Sequence, residues 1–167
     1  MKVAVTDACI FIDLIGLNLL HQLFDLHLEI HTSADVVAEL YDDGAELYQF
    51  VDAGKLQIHS IQEADRIVIS QAKYSKALSE NDKTVLHLAN QIKATVLSSD
   101  QVVRKHAEAH GLECRGMLWL LDQLVAHQII SAPIAKQKLQ ALLEANVMYR
   151  NNMRLSAEIQ KRLQIWS

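Results

Sequence analysis

The sequence predicts an α/β fold in three layers, a central parallel sheet flanked by helices, with further helices appended at the C-terminus. Three observations predict it. Short apolar runs alternate with stretches of helical spacing over the first 115 residues, the pattern of βαβ units. Turn and cap residues punctuate nearly every change of period. From Met117 onward only helical patterns remain.

Taken in order, Val3-Ala4-Val5, bounded by Thr6-Asp7, reads as a buried strand, and Ile10 to Phe24 as one helix with Ile10, Leu14, Leu17, Leu20, Leu23 and Phe24 on its apolar face. His27 to His31 alternates as a strand does, and Thr32-Ser33 supplies capping hydroxyls for a helix through Val36, Val37 and Leu40. A short helical stretch from Leu47 to Val51 is closed by Gly54 before the strand Leu56 to His59. Glu63 to Leu78 is expected to be helical. Ser79-Glu80-Asn81-Asp82 has the form of a capping box for a helix with Val85, Leu86, Leu88, Ala89 and Ile92 inward. The strand Ala94 to Leu97, a helix Gln101 to His110 stopped by Gly111, and a last strand Leu112 to Cys114 complete the alternation. Helices then run through Ala126, from Pro133, and from Ser156 to Leu163.

No linker, repeat or low-complexity tract interrupts the 167 residues, so one domain is expected, residues 1–120 forming the core and 121–167 a helical extension. With 50% apolar and 22% charged residues, five Gly and one Pro, the chain can bury a core without staples. Cys9 and Cys114 are too few for a disulfide framework, lie in apolar stretches, and are expected to pack as small core residues in a reducing cytoplasm. The N-terminal apolar run is cut short by Asp7. The most apolar later segment holds Asp122, Gln123, His127, Gln128 and Pro133, so neither signal peptide nor membrane span is expected.

Charge is lopsided. Residues 1–65 carry two Lys/Arg against twelve Asp/Glu and residues 66–167 carry fourteen against eight, which sums to the net −4. An acidic, cation-attracting region beside a basic face suits a polyanionic ligand, and Lys136 to Arg162 is locally basic. Four Tyr, three Phe and two Trp do not promise a long base-stacking platform.

In an open parallel sheet, ligands bind beyond the carboxyl ends of the strands, and there Asp7 and Asp100 each follow a strand, with Glu39 and Asp82 on helices between them. Each acid has a plain structural use: Asp7, Asp82 and Asp100 can cap helices, and Glu39 can be a solvated helix residue. Together in one crevice they would repel each other unless a hard cation or raised pKa values relieved the charge. The usual occupant of such an oxygen-rich site is Mg²⁺ or Mn²⁺, and the implied chemistry is metal-assisted phosphoryl transfer. Other constellations fall away. His106, His110 and Cys114 stand four apart, but Gly111 interrupts the helix and no fourth zinc ligand is spaced to match. Thr6-Asp7-Ala8-Cys9 lacks the acidic pair of a receiver and the second Asp of an aspartyl phosphatase, and no GxGxxG or GxxxxGK[ST] occurs.

Four segments carry a family resemblance: Val5-Thr6-Asp7, TSADVVAEL with Glu39, SENDKTVLHLA with Asp82, and VLSSDQVVRKHA with Asp100. Their order, their spacings of 32, 43 and 18 residues, and Ser98 two positions before the last acid resemble the acidic motifs of PIN-domain ribonucleases, among them VapC-type toxins. Gly111 to Gly116 is similar to the short strand and glycine that follow the last active-site helix. The resemblance covers residues 1–120. It implies a metal-dependent endoribonuclease, the toxin of a toxin–antitoxin pair, that binds Mg²⁺ or Mn²⁺ through Asp7, Glu39, Asp82 and Asp100. Ser98 and Asn81 would orient a water or a phosphate. A homodimer and a small antitoxin partner are implied as well. One departure stands out: many family members carry a further acid beside the position of Asp100, where this chain has Ser99, Gln101 and Val102. It keeps a second reading open, a catalytically weak PIN-like module that holds RNA or a protein; a third reading is a hydrolase of small phosphoesters, which would turn over a chromogenic phosphate ester and leave RNA intact.

Overall fold

The computed structural model describes all 167 residues. Five strands, β1 (Lys2–Thr6), β2 (Leu28–Ser33), β3 (Leu56–His59), β4 (Thr95–Leu97) and β5 (Cys114–Arg115), form one parallel sheet in the order β3-β2-β1-β4-β5. The fold is the three-layer α/β arrangement expected. β1 is central and apolar because it has neighbours on both edges, and Ala4, Val5 and Thr6 are fully buried.

The chain divides into two compact units: residues 1–12 with 27–117, and residues 13–26 with 118–167. The first holds the sheet. Between β2 and β3 run α3 (Ala34–Glu39), a 3-10 turn (Tyr41–Leu47) and α4 (Tyr48–Asp52); between β3 and β4, α5 (Glu63–Gln71) and α6 (Glu80–Ile92); between β4 and β5, α7 (Gln101–Ala109). Strand order steps outward from β1 to β3, then returns past β1 to β4 and β5. With right-handed crossovers, that reversal puts the switch point, where open sheets of this kind have their ligand crevice, at the carboxyl ends of β1 and β4. The second unit is helical: the end of α1 (Ala8–Gly16), α2 (Leu20–Leu23), α8 (Met117–Ala126), α9 (Ala132–Ala145), α10 (Val147–Arg150) and α11 (Met153–Ile165). Tyr149 donates its hydroxyl to Asp13 Oδ2 at 2.9 Å, and Arg162 grips Asp122 through two hydrogen bonds of 2.9 and 2.7 Å. No helix is long and apolar enough to cross a membrane.

The structure revises several expectations. The helix from Ile10 to Phe24 is two helices, because Asn18 adopts φ +57° and ends the first. Glu63 to Leu78 is helical only to Gln71, where Ala72 turns extended and the chain leads over Tyr74 to the Ser79 cap. The last strand is Cys114–Arg115, and the last helix starts from an Asn152 cap rather than from Ser156. Cys9 is exposed, not packed in the core, whereas Cys114 is buried, and burial pushes its thiol up to about 11. Part of the basic C-terminal charge is spent internally, since Arg162 also pairs with Glu158.

Candidate functional site

β1 ends at Thr6, and the amide of Asp7 continues the ladder by donating to Leu97 O at 3.1 Å, so Asp7 is fixed where β1 and β4 meet. Its Oδ1 accepts from the Ile10 amide at 3.0 Å, the helix-capping role the sequence allowed. Its Oδ2 has no hydrogen-bond partner although Asp7 is 1% exposed. Burial pushes the Asp7 pKa up to about 7, opposed by the Ser98 hydroxyl and the Ile10 amide and reinforced by the charges of Asp82 and Asp100.

The capping box at the start of α6 forms as expected. Ser79 Oγ accepts from the Asp82 amide at 3.1 Å, and the Ser79 amide donates to Asp82 Oδ2 at 3.3 Å. The Asp82 pKa is raised, first by burial and then by Asp100 and Glu39, against the two Ser79 contacts. Asp100 caps α7: its Oδ1 accepts from the amides of Val102 at 2.7 Å and Val103 at 3.4 Å. Glu39 stands exposed at the end of α3, and Asn81 Nδ2 donates to its Oε2 at 3.0 Å. The four acids therefore form one electrostatic chain, Asp7 coupled to Asp82 and Asp100, and Asp82 to Asp100 and Glu39.

That chain is not a finished cage. No group of three or more His, Cys, Asp or Glu side chains is gathered closely enough to hold an ion. Capping uses one oxygen of Asp82 and one of Asp100, which leaves each a second one. The donor chemistry fits a hard cation all the same: the side chains that act on the Asp7 carboxyl are the Ser98 hydroxyl and the carboxylates of Asp82 and Asp100.

Ser98 links the acids from below. Buried at the end of β4, it takes the Asp100 amide on its Oγ at 3.1 Å and lies against the Asp7 carboxylate. Asn81 does a different job, holding Glu39. Ser99, the departure noted above, accepts from the Met117 amide at 3.2 Å, and a Cβ on Gly116 would approach its Oγ to 3.0 Å. At position 99 the chain has a structural tie. Sequence reasoning missed a buried hydroxyl layer beneath the crevice: Thr32 Oγ1 donates to Thr6 O at 2.7 Å, Ser33 and Thr84 hydroxyls meet at 2.8 Å, and Thr6 Oγ1 is a second orphaned atom. The signal available was the placement of Thr6, Thr32-Ser33 and Ser98 at three strand ends, which were read as turn and cap chemistry.

Fold and crevice together define a class, α/β proteins with a buried acid at the switch point of a parallel sheet. Residues 3–164 match a family model described as a PIN domain, and the chain belongs to that family. PIN domains are in general a nuclease fold that binds RNA, usually with a divalent metal. Among solved structures, a PilT N-terminus domain protein from the hyperthermophilic archaeon Sulfolobus solfataricus P2 is similar at 13% identity and TM-score 0.48, over 69% of this chain and 87% of that one. A domain of a functionally unknown protein from Methanocaldococcus jannaschii DSM 2661 is similar at 20% identity and TM-score 0.49, over 70% and 91%. No curated protein matches the sequence.

Proposed function

We propose that the protein is a Mg²⁺- or Mn²⁺-dependent endoribonuclease, the toxin of a toxin–antitoxin pair acting as a cytoplasmic homodimer. One observation carries the catalytic part: a fully buried aspartate, Asp7, with an unpartnered oxygen and a pKa raised to about 7 by burial, inside a chain of like charges. Burying a charge that nothing compensates is costly, so such a group is retained for a ligand that compensates it. Asp7, Asp82, Asp100 and Glu39 are the residues that would hold the cation. Bound there, it would supply Lewis-acid activation of water and of the scissile phosphate. The chain's own residues do the rest. Ser98 keeps Asp7 and Asp100 together, Asn81 orients Glu39, and the sheet edge holds Asp7 rigid.

The binding-module reading has support of its own in the lack of a gathered three-ligand group and in the cap roles of Asp82 and Asp100. A cleavage assay decides between the two. The nuclease cuts RNA with Mn²⁺ or Mg²⁺, stops with EDTA, and is silenced by Asp7→Asn; RNA bound but uncut at every metal concentration overturns it. A short neighbouring reading frame whose product binds the chain and blocks cleavage tests the toxin role.

A further inference from the structure

α7 leads away from Asp100 and carries a second, unassigned feature. His106 and His110, one turn apart, stack at 4.1 Å between centroids and 19° between planes. Tyr74, brought in by the irregular segment between α5 and α6, stacks on His106 at 4.7 Å and 30°. Lys83, next in sequence to Asp82, lies 6.0 Å from the Tyr74 ring and ties to Glu80 at 2.7 Å. The result is an ordered column, Lys83–Tyr74–His106–His110.

The column is preorganised and open at one end. His110 donates Nδ1–H to the carbonyl of His106 at 2.8 Å, which fixes both tautomer and ring plane. No ring covers the outer face of His110, and that residue is exposed. Burial lowers the His106 pKa, and the neighbouring His110 lowers it further. Exposed Lys73 and Lys76 flank Tyr74 in sequence, exposed Lys105 flanks His106, and none of the three is in an ion pair. An open π-face with unpaired cations near it supplies the two components of single-strand recognition: a base stacks and phosphates are neutralised.

We propose that the open face of His110, backed by the stacked rings of His106 and Tyr74, ends a stacking track that seats an unpaired base of single-stranded RNA leaving the acidic crevice along α7; this rests on the ribonuclease reading above. From Asp100 to His110 the helix rises about 15 Å, a distance of about four stacked nucleotides. A strand held at the crevice therefore meets the open face of His110 a few bases away, and a trinucleotide does not reach it.

The test uses the full chain and a single-stranded RNA of about ten nucleotides carrying 2-aminopurine. In EDTA, binding to the wild type quenches the fluorophore, His110→Ala weakens binding roughly ten-fold and removes the quench, and His110→Phe restores both. With Mn²⁺, His110→Ala raises KM on that RNA by a similar factor, leaves kcat unaltered, and does not change trinucleotide cleavage. Equal binding and quench for wild type, His106→Ala and His110→Ala overturns the track while cleavage leaves the ribonuclease reading standing. Ring-dependent binding without any cleavage overturns the ribonuclease and keeps the track. A wild type that binds no RNA, or whose rings serve only a protein partner, overturns the track.

Discussion

Two titratable clusters, each built on one buried residue, sit on the same sheet and are satisfied very differently. Where β2 and β3 adjoin, His31, 5% exposed, uses both ring nitrogens: Nε2 meets Glu29 Oε1 at 2.8 Å and Nδ1 meets His59 Nε2 at 2.8 Å, with the imidazoles stacked at 5.1 Å. With Nε2–H given to the carboxylate, a neutral His31 accepts from His59, and every ring atom of His31 able to hydrogen-bond does so. At the junction of β1 and β4, Asp7 is buried as deeply, yet Oδ2 is left without a partner and further acids crowd it. A closed network stabilises what it touches, whereas an orphaned charge is a cost that protonation or a ligand removes. By this criterion the first cluster is structural and the second suits the proposed site.

The largest contrast is expected in activity. Asp7→Asn and Asp100→Asn should each lower RNA cleavage by at least about 100-fold, as loss of a cation ligand does, while both stay folded; His31→Ala should cleave at the wild-type rate. Asn keeps the acceptor for the Ile10 amide and for the α7 cap, so lost stability cannot explain a loss. Unchanged cleavage in both Asn variants would return the two acids to capping alone.

pH gives the next largest difference. The folded pKa of Asp7, about 7, lies above the ordinary value of 3.8, so the folded state binds the extra proton. Without metal, its stabilising contribution is full below pH 4 and is lost as pH rises to 7, by roughly 4 kcal/mol at most. Urea denaturation in EDTA at several pH values should show that decline in wild type and a flatter profile in Asp7→Asn. For His59, whose pKa is lowered by burial and by His31, the sign is opposite, and its contribution weakens as pH falls below 6.5.

Cation binding should compensate the same charge. At about 100 times the dissociation constant, Mn²⁺ adds roughly 2.7 kcal/mol of stability, read as a raised Tm in wild type and none in Asp7→Asn. A wild type indifferent to millimolar Mn²⁺ and Mg²⁺ would break the comparison. His31→Ala should cost about 1–3 kcal/mol by leaving Glu29 and His59 without their shared partner, measured by thermal denaturation. The smallest effect belongs to Asn81→Ala, a few-fold loss of cleavage with Tm unchanged, since it releases only the exposed Glu39.

The sequence by itself determined the alternation of strands and helices, the parallel sheet, the Ser79–Asp82 capping box, and the positions of Asp7 and Asp100 at strand ends, because each is written in spacing along the chain. Helix ends were legible where Gly111 supplied a positive φ and illegible at Gln71, where no Gly or Pro marks the stop; at the end of α1, Gly16 and Asn18 were passed over because the apolar spacing continues through Leu17 and Leu20. The exposure of Cys9, the orphaned Asp7 Oδ2, the Thr6–Thr32 hydroxyl bond and the closed His31 network were decided by tertiary structure alone. So was the ring column: a tally of Tyr, Phe and Trp passes over His106 and His110, and nothing local brings Tyr74 onto them. The physical reason is the same in each case. Spacing fixes which face a side chain takes, but whether a buried polar atom finds a partner depends on residues tens of positions away, and those meet it only when the sheet is assembled.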